Sequence, residues 1–267
     1  MNQQVALQLA ELNTRFYAEQ AASFSSTRQS PWPGWRQVAD LLVDLGEREA
    51  PMRASVSLLD LACGNLRFER FLADERPQVD WRMVAVDNCV PLMDAGASAD
   101  ASAGECVAFA ELDAVGALVR GDFAERLDAC APQSLDASVS FGFLHHVPGF
   151  DRRAELLRAL VNAVRPGGLV AVSLWRFMGN PKLAEKARAT TEQALRDLPW
   201  LDKGDLEHGD YILGWQDRPG TYRYCHHFDA EEVDRLVASV PNAQLLSRFR
   251  ADGRTDVLNE YLVLRRA

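Results

Sequence analysis

The sequence predicts an α/β protein with a doubly wound parallel sheet, a C-terminal antiparallel hairpin and a helical cap. Between residues 56 and 175, segments dense in aliphatic residues alternate with helical patterns, which is typical of a parallel sheet covered on both faces. Two further apolar segments near the C-terminus are separated by a short polar turn, which predicts the hairpin. Helical patterns ahead of the first strand predict part of the cap.

Two helices are predicted before the sheet begins. Apolar residues recur at helical spacing over residues 5–24, and a second helix is predicted over 35–45. The polar, proline-containing segment 25–34 separates them as a loop. Both helices are therefore interpreted as an N-terminal addition to the sheet.

The predicted strands of the sheet alternate with helices along the chain. Pro91 suits the first turn of the helix that it opens. The last connecting helix is predicted to close at a turn formed by residues 165–168. The strands are predicted at 56–61, 81–86, 107–109, 137–141 and 169–174, with helices at 66–74, 91–99 and 152–164.

The pattern changes after residue 175. A polar amphipathic helix and a stretch rich in Gly, Asp and Trp come first, followed by a helix that Asp229 is placed to cap. These two helices are predicted at 182–198 and 231–239, and the hairpin strands at 244–250 and 259–264; the stretch rich in Gly, Asp and Trp is 199–220. We predict one domain over residues 1–267, consisting of an N-terminal helical cap (1–50), a core (51–175), an insertion that adds to the cap (176–220) and the C-terminal part of the sheet (221–267).

The composition excludes some classes of protein. The chain has 267 residues, 48% of them hydrophobic, and a formal net charge of −9. Because an acidic protein repels a phosphate backbone on average, extended DNA binding is disfavoured. No apolar run approaches the roughly 20 residues that a membrane span requires, and the N-terminus lacks the pattern of a signal peptide.

The cysteines indicate a reducing environment. There are 5, scattered along the chain without a C-x-x-C pair, which argues against a disulfide framework and a zinc site. With no signal peptide or membrane span expected, the sequence predicts a soluble cytoplasmic protein. It leaves the oligomeric state open.

The turn after the first predicted strand carries the strongest sign of a ligand. Asp60, near the strand end, is followed by the small residues Ala62, Cys63 and Gly64. Small side chains let a ligand approach the backbone, and a helix N-terminus offers free N–H groups. Asp87, which ends the second strand, is placed to accept hydrogen bonds from ribose hydroxyls. A strand–helix unit without a ligand is the alternative.

Three segments, in order, resemble motifs of class I S-adenosylmethionine-dependent methyltransferases. They are LDLACGN (59–65), VAVD (84–87) and FLHHV (143–147), and residues 160–170 are similar to the segment leading into that family's fifth strand. The resemblance implies a Rossmann-like, seven-stranded sheet, methyl transfer, and S-adenosyl-L-methionine as the cofactor of the 51–175 core. The cofactor contacts that it implies are Asp60, Ala62, Cys63, Gly64, Asp87, Asn88, Asp113 and Phe141.

The turn departs from the family pattern, which reads acidic-x-Gly-x-Gly-x-Gly. This chain has Ala62, Gly64 and Leu66 at the glycine positions. Ala62 is expected to cost little. Leu66 is expected to crowd the methionine end of the cofactor unless it points into the core as the first helical residue. A catalytically degenerate protein that still binds the cofactor is therefore a second hypothesis.

Two of the implied contacts have simpler alternatives. Asp113 matches the acidic residue that contacts the adenine amino group, and it is also suited to cap a helix beginning at Ala114. Phe141 is expected to line the cleft between cofactor and acceptor, although its aromatic ring also suits the core.

Two consecutive histidines, His145 and His146, follow the fourth predicted strand. Paired histidines recur at this place in the family as packing residues, but His145 is kept as a candidate general base. No carboxylate–histidine cluster is evident nearby, so no metal is predicted.

A narrower resemblance concerns the acceptor. Residues 24–28, 31–33 and 223–228 are similar to tRNA wobble-uridine methyltransferases that esterify a 5-carboxymethyl group. In that subgroup an N-terminal arginine is expected to hold the substrate, and Arg28 is the matching residue. An arginine fork grips a carboxylate bidentately and leaves one oxygen aimed at the methyl group. A surface arginine in a polar loop is the alternative.

The leading hypothesis is an O- or N-methyltransferase acting on a small-molecule or tRNA-borne, carboxymethyluridine-like acceptor. Besides the degenerate cofactor-binding protein, a nicotinamide-dependent oxidoreductase is an alternative, because that class also has an acidic strand end after a glycine turn. It is disfavoured because the G-x-G-x-x-G spacing is absent.

Overall fold

The computed structural model describes residues 1–28, 30–49, 55–97, 106–216 and 218–267. The strands are β1 (Ser55–Leu61), β2 (Asp80–Asp87), β3 (Val107–Glu111), β4 (Leu135–Ser140), β5 (Val164–Trp175), β6 (Asp210–Trp215), β7 (Arg218–His226), β8 (Ala243–Ala251) and β9 (Asn259–Arg266). The helices are α1 (Gln3–Ser26), α2 (Pro33–Glu49), α3 (Arg67–Glu75), α4 (Val90–Ala97), α5 (Ala114–Arg120), α6 (Phe123–Cys130), α7 (Phe150–Ala163), α8 (Pro181–Asp197) and α9 (Ala230–Ala238).

Seven of the described strands form one sheet in the order β3-β2-β1-β4-β5-β9-β8. Strands β1 to β5 run parallel, and β9 pairs antiparallel with both β5 and β8. The predicted doubly wound sheet with a C-terminal antiparallel hairpin is therefore confirmed. Strand order changes direction between β1 and β4, and in such sheets ligands bind in the crevice outside the strand ends at that point.

Both faces of the sheet are covered, because the parallel strands carry apolar side chains on each side. One face packs against α5, α6, α7 and α9, with Phe123 and Leu157 in its core. The other packs against α2 and α3, with Leu42 and Phe68 in its core. Helix α2 therefore lies on the sheet, although the sequence suggested that residues 1–50 form a cap. None of the described helices is long and apolar enough to cross a membrane.

Strands β6 and β7 form a separate antiparallel hairpin. Its buried Ile212 and Tyr224 pack against Leu9 of α1 and Ala194 of α8. No strand was predicted over 199–220, because the partners that bury β6 are distant in sequence. The predicted boundary at residue 220 falls inside β7, and residues 221–226 belong to this hairpin rather than to the main sheet. The rest of the predicted division, including the single domain, stays a prediction.

Most other predicted elements differ from the structure only at their ends. Residues 165–168, predicted to close the last connecting helix, do follow α7, but they lie within β5, which begins at Val164. Its register against β4 shifts at this point, and Gly168 is required because a Cβ there would lie 2.8 Å from the carbonyl oxygen of Asp136. Helix α5 begins at Ala114, where the sequence offered a helix only as the alternative role of Asp113, and α6 lies where no element was predicted. Residues 98 and 99 of the helix predicted over 91–99 lie outside the described residues.

Arg153 of α7 is a buried cation that links three parts of the fold. Its side chain is 1% exposed, and it donates to Glu232 and to the carbonyl of Val147, both at 2.9 Å. His226 bridges Glu232 to Asp210 through hydrogen bonds of 2.6 Å at both ring nitrogens. This network ties α9 and the β6–β7 hairpin to α7, and it holds the loop that follows β4.

The variant Arg153→Ala is expected to lower the free energy of unfolding by about 3–5 kcal/mol, because it leaves buried carboxylates without their cation. Denaturant titration followed by circular dichroism measures the change. The matched control is Arg158→Ala on the exposed side of the same helix, which should stay within about 0.5 kcal/mol of the parent. Equal, small effects of both changes would contradict the role given to this network.

Candidate functional site

One large cavity opens at the carboxyl ends of β1, β2 and β4. Its volume is about 700 Å³, and its wall is formed by α1, the loop after α1 and the turns that follow the parallel strands. The structure brings all the predicted site residues together on this wall, although their individual roles stay predictions. These residues are Arg28, Asp60, Ala62, Cys63, Gly64, Asp87, Asn88, Asp113, Phe141 and His145.

The turn between β1 and α3 has the backbone conformation of a glycine-rich loop, although most of the residues that adopt it are not glycine. Ala62, Gly64 and Leu66 have φ angles of 65°, 59° and 57°. This left-handed conformation costs a non-glycine residue about 1–2 kcal/mol, so the expectation that Ala62 costs little is wrong. The turn is held by the N–H groups of Ala62 and Cys63, which donate to the carbonyl of Val86 at 2.6 and 3.2 Å.

Leu66 does not crowd the cavity. It is the N-cap of α3 rather than its first helical residue, and its side chain packs with Cys63 and Ala85 in the core. It is not part of the wall that the described residues form around the cavity. The left-handed backbone directs the side chain inward, so the departure from the family pattern leaves the ligand space open.

Asp87 joins the turns that follow β1 and β2. Its Oδ2 accepts a hydrogen bond from the N–H of Gly64 and its Oδ1 from the N–H of Cys89, both at 2.8 Å. Burial raises the pKa of Asp87, and these backbone hydrogen bonds oppose the rise. Each carboxylate oxygen has a further lone pair, so Asp87 can still accept hydrogen bonds from the hydroxyls of a ribose.

The other residues expected at the cofactor also have protein partners. Asn88 donates to the hydroxyl of Thr14 at 3.3 Å. Asp113 caps α5 by accepting a backbone N–H at 2.8 Å, which is the simpler of its two expected roles; its adenine contact stays a prediction. Phe141 packs edge-on against Phe68 with ring centroids 4.8 Å apart, so it belongs to both the core and the cavity wall.

Helix α1 and the loop after it close over the strand ends. Asn65 of the turn donates to the hydroxyl of Ser25 at 3.0 Å. Gly142, after β4, has a φ of 67°, and a Cβ there would lie 2.9 Å from the ring of Trp32. The loop therefore packs directly on the backbone, which limits the access of water to this part of the cavity.

Arg223 of β7 is a deeply buried cation of the cavity that sequence reasoning missed. It is 6% exposed, and its guanidinium lies 5.0, 5.8 and 5.5 Å from the ring centroids of Phe16, Trp175 and Trp215. It donates to the hydroxyl of Tyr17 at 3.4 Å, whereas its Nε has no partner among the described residues. No carboxylate in the described part of the chain pairs with it.

Arg28, in the loop after α1, lies close to Arg223. Its guanidinium stacks over Phe24 at 4.3 Å and donates to the hydroxyl of Thr27 at 2.9 Å. Burial, followed by the charge of Arg223, lowers the pKa of Arg28.

The available signal for Arg223 was its position two residues before the buried Cys225, on the same face of a strand.

The two histidines have different environments. Nε2 of His146 accepts from the hydroxyl of Tyr17 at 2.8 Å, and Nδ1 donates to the carbonyl of Tyr224 at 2.9 Å. Burial lowers the pKa of His146 to about 3, so it is a neutral packing residue. Nδ1 of His145 has no partner within the described ranges, and burial, with the neighbouring cations, lowers its pKa. His145 therefore offers a neutral imidazole beside the cavity.

His145, His146 and Cys225 place their ligand atoms within 4.8 Å of one another. A zinc ion would need a thiolate and imidazole nitrogens with free lone pairs. Both nitrogens of His146 are already used, and burial raises the pKa of Cys225 to about 12. The group therefore suits neutral packing better than a cation, and the absence of a metal stays a prediction.

Residues 59–172 match the family described as methyltransferase domain. The segment includes the turn after β1, Asp87 and the two histidines, which together form much of the cavity wall. This segment is therefore similar to a methyltransferase domain, and the sheet of the chain has the fold of S-adenosylmethionine-dependent methyltransferases.

Solved structures share this fold. One is 1,6-didemethyltoxoflavin-N1-methyltransferase of Burkholderia thailandensis, crystallised with 1,6-didemethyltoxoflavin and S-adenosylhomocysteine. Its sequence is 14% identical to this chain, and the TM-score is 0.59 over 97% of this chain and 89% of that one. Another is an S-adenosylmethionine-dependent methyltransferase of Methanosarcina mazei, 15% identical, with a TM-score of 0.54 over 79% of this chain and 92% of that one. At these identities the likeness establishes the fold alone.

Two relatives are similar in sequence. Mouse ALKBH8, named tRNA (carboxymethyluridine(34)-5-O)-methyltransferase, is 30% identical over 171 residues, which are 64% of this chain and 21% of that protein. A protein of Encephalitozoon cuniculi (strain GB-M1) that is named as a methyltransferase is 27% identical over 223 residues, covering 83% of this chain and 82% of that one. The chain thus spans about a fifth of the length of the mouse relative.

The cavity fits S-adenosyl-L-methionine on features of its own. Its volume of about 700 Å³ lies within the range of small-molecule sites. Asp60 lines the cavity, so its carboxylate is placed to accept a hydrogen bond from a ligand donor. A Cβ on Gly64 would meet only a side-chain atom of Leu92, at 3.6 Å, so the backbone of the turn is open to close approach.

The variant Asp87→Ala is expected to weaken binding of S-adenosylhomocysteine by about tenfold or more, because charge-assisted hydrogen bonds are lost and the turn at Gly64 is released. Isothermal titration calorimetry measures the affinity. The matched control is Glu111→Ala, because Glu111 pairs in register with Asp87 at the end of β3 but is exposed and off the cavity wall. Unchanged affinity of Asp87→Ala would contradict the placement of the ribose.

Proposed function

We propose that the protein is an S-adenosylmethionine-dependent methyltransferase that transfers the methyl group to a carboxylate oxygen of its acceptor. The observation that carries this proposal is the division of charge in the cavity. Acidic side chains follow β1, β2 and β3, whereas Arg28 and Arg223 lie close to each other, with Arg223 beside Trp175 at the end of β5, and neither has a carboxylate partner among the described residues. Buried cations without counter-ions favour an anionic ligand.

The residues of the chain have a limited task in this reaction. When bound, S-adenosylmethionine supplies a methyl group that its sulfonium already activates. Arg223 is held by Tyr17 and by aromatic rings, so little side-chain entropy is lost when it grips a carboxylate. Arg28 approaches from the loop after α1 and closes on the same anion. Alignment and exclusion of water then lower the barrier, and no base is required because a carboxylate oxygen carries no proton.

The molecule that bears the carboxylate is the finer part of the proposal. The name of mouse ALKBH8 refers to carboxymethyluridine 34 of tRNA, which supports a tRNA-borne, carboxymethyluridine-like acceptor here. A net charge of −9 disfavours wide contact with a phosphate backbone and so supports a small molecule. Location in the cytoplasm is part of the same proposal, supported by five free cysteines among the described residues.

A hydroxyl or amine acceptor is the second candidate, favoured by the neutral imidazole of His145. Such an acceptor must lose a proton as the new bond forms, and His145 is placed to accept it. The catalytically degenerate alternative loses its main support because Leu66 packs away from the cavity. The match to a methyltransferase domain likewise disfavours the nicotinamide-dependent alternative.

The chemistry of the product tests the proposal. The protein is incubated with methyl-labelled S-adenosylmethionine and cell extract, and the label is followed into tRNA, protein and small-molecule fractions. A methyl ester is the expected product, so mild alkali should release the label as methanol. Alkali-stable label would contradict the carboxylate acceptor and favour the second candidate. Label confined to small molecules would exclude tRNA.

The variants Arg28→Lys and Arg223→Lys are each expected to raise the KM for the acceptor by about 10–100-fold, because lysine keeps the charge but loses the bidentate fork. The KM for S-adenosylmethionine should change little. The matched control is Arg218→Lys, an exposed arginine of the same strand β7, which should behave as the parent. Thermal unfolding and S-adenosylhomocysteine titration identify a variant that is merely misfolded. An unchanged acceptor KM in both variants would contradict the proposed acceptor site.

A further inference from the structure

Two carboxyl groups are buried together beneath the turn after β1. Asp60 of β1 is 3% exposed, and Glu69, in the first turn of α3, is 0% exposed. The two carboxyl groups lie within hydrogen-bonding range of each other. Oδ1 of Asp60 and both oxygens of Glu69 receive no hydrogen bond from a donor of the described residues. Asp60 lines the cavity and Glu69 lies behind it.

This arrangement requires a proton between the two groups. Two carboxylates offer only acceptor atoms, and two adjacent buried negative charges without a donor are strongly unfavourable. One shared proton satisfies an oxygen of each group and leaves a single negative charge. Burial raises the pKa of both Asp60 and Glu69, and for Asp60 the neighbouring Glu69 charge adds to the rise.

We propose that Glu69 is a positioning residue of the cofactor site, which shares one proton with Asp60 so that the pair presents a single negative charge to the cationic methionine portion of S-adenosylmethionine. The cation stabilises the ionised pair, so binding releases a proton from the fully protonated pair to solvent. The affinity for the cofactor therefore depends on pH near neutrality. This inference concerns the cofactor alone and is independent of the proposed acceptor.

The other charged and titratable groups described near Asp60 and Glu69 do not remove the need for a proton shared between the two carboxyl groups. Asp87 of β2 adds a further negative charge, and the thiol of Cys63, whose pKa is raised by burial and by these acids, stays neutral. Burial raises the pKa of Glu69 to about 7, and the positive charge of Arg70 in α3 opposes that rise. The sum of these groups keeps the first ionisation of the pair near neutral pH.

Calorimetric titration with S-adenosylmethionine between about pH 6 and 8, in buffers of different ionisation enthalpy, tests the proposal. The affinity of the parent protein should rise with pH by up to about tenfold per unit on the acid side, with release of up to about one proton. The neutral nucleoside 5′-methylthioadenosine, which lacks the charged methionine portion, should bind with an affinity that does not depend on pH.

The variant Glu69→Gln distinguishes a positioning role from a structural one. The glutamine amide donates a permanent hydrogen bond to Asp60, so Asp60 should stay ionised and most of the pH slope and proton release should disappear. The amino group of the ligand titrates equally in every variant, so the difference between variants reports on the pair. The control is Asp74→Asn, an equal loss of charge at an exposed position of α3, which should keep the parent slope.

Binding of 5′-methylthioadenosine to Glu69→Gln shows that the nucleoside part of the site is intact in that variant. Two results would overturn the inference. One is a pH slope and proton release in Glu69→Gln equal to those of the parent. The other is a pH slope for the neutral nucleoside as steep as that for S-adenosylmethionine.

Discussion

The carboxylate of Asp87 is the interaction on which the rest of the site depends. By accepting the N–H groups of Gly64 and Cys89, each at 2.8 Å, it fixes the turn after β1 to the turn after β2. Two neighbouring parallel strands thus end in one rigid edge. The strained left-handed residues Ala62 and Leu66 are held by this edge, and such strain persists only where the surroundings over-determine the backbone.

Charge divides the space above that edge. Asp60 and Asp87 lie at the ends of β1 and β2, where the cofactor is expected, and Arg28 and Arg223 lie close to each other, with Arg223 beside Trp175 at the end of β5. A transferable methyl group must meet its acceptor between these two sides. In a cavity shielded from water, electrostatic interactions are stronger than in solution. The separation of acidic residues from arginines therefore orients the cofactor and the acceptor. It also disfavours an anion beside the acidic residues and a cation beside the arginines.

Local patterns in the sequence predicted the parts of the fold that depend on neighbours in the chain. The parallel strands, the C-terminal hairpin and the placing of Asp60 and Asp87 on one edge follow from aliphatic periodicity and strand ends. Asp113 and His145 were expected at the site from the family resemblance. Patterns could not predict the hairpin of β6 and β7, because α1 and α8 bury it from distant parts of the chain.

The same limit applies to the site residues that were missed. In sequence, Glu69 resembles any acidic residue in the first turn of a helix, where a solvent-exposed carboxylate stabilises the helix dipole. Its burial against Asp60 depends on how α3 packs on β1. For Arg223 the sequence offered only its place on the same strand face as Cys225, and its burial depends on α1 and the aromatic rings that enclose it. The orientation of Leu66 depends on its left-handed φ angle, which leucine rarely adopts, so the sequence did not predict it.

A crystal structure of the protein with S-adenosylhomocysteine tests the central claim most directly. The account predicts that the ligand occupies the cavity at the ends of β1, β2 and β4, with its ribose hydroxyls bonded to Asp87 and its sulfur facing the space in front of Arg28 and Arg223. A ligand bound elsewhere, or one whose sulfur points away from the two arginines, would contradict it.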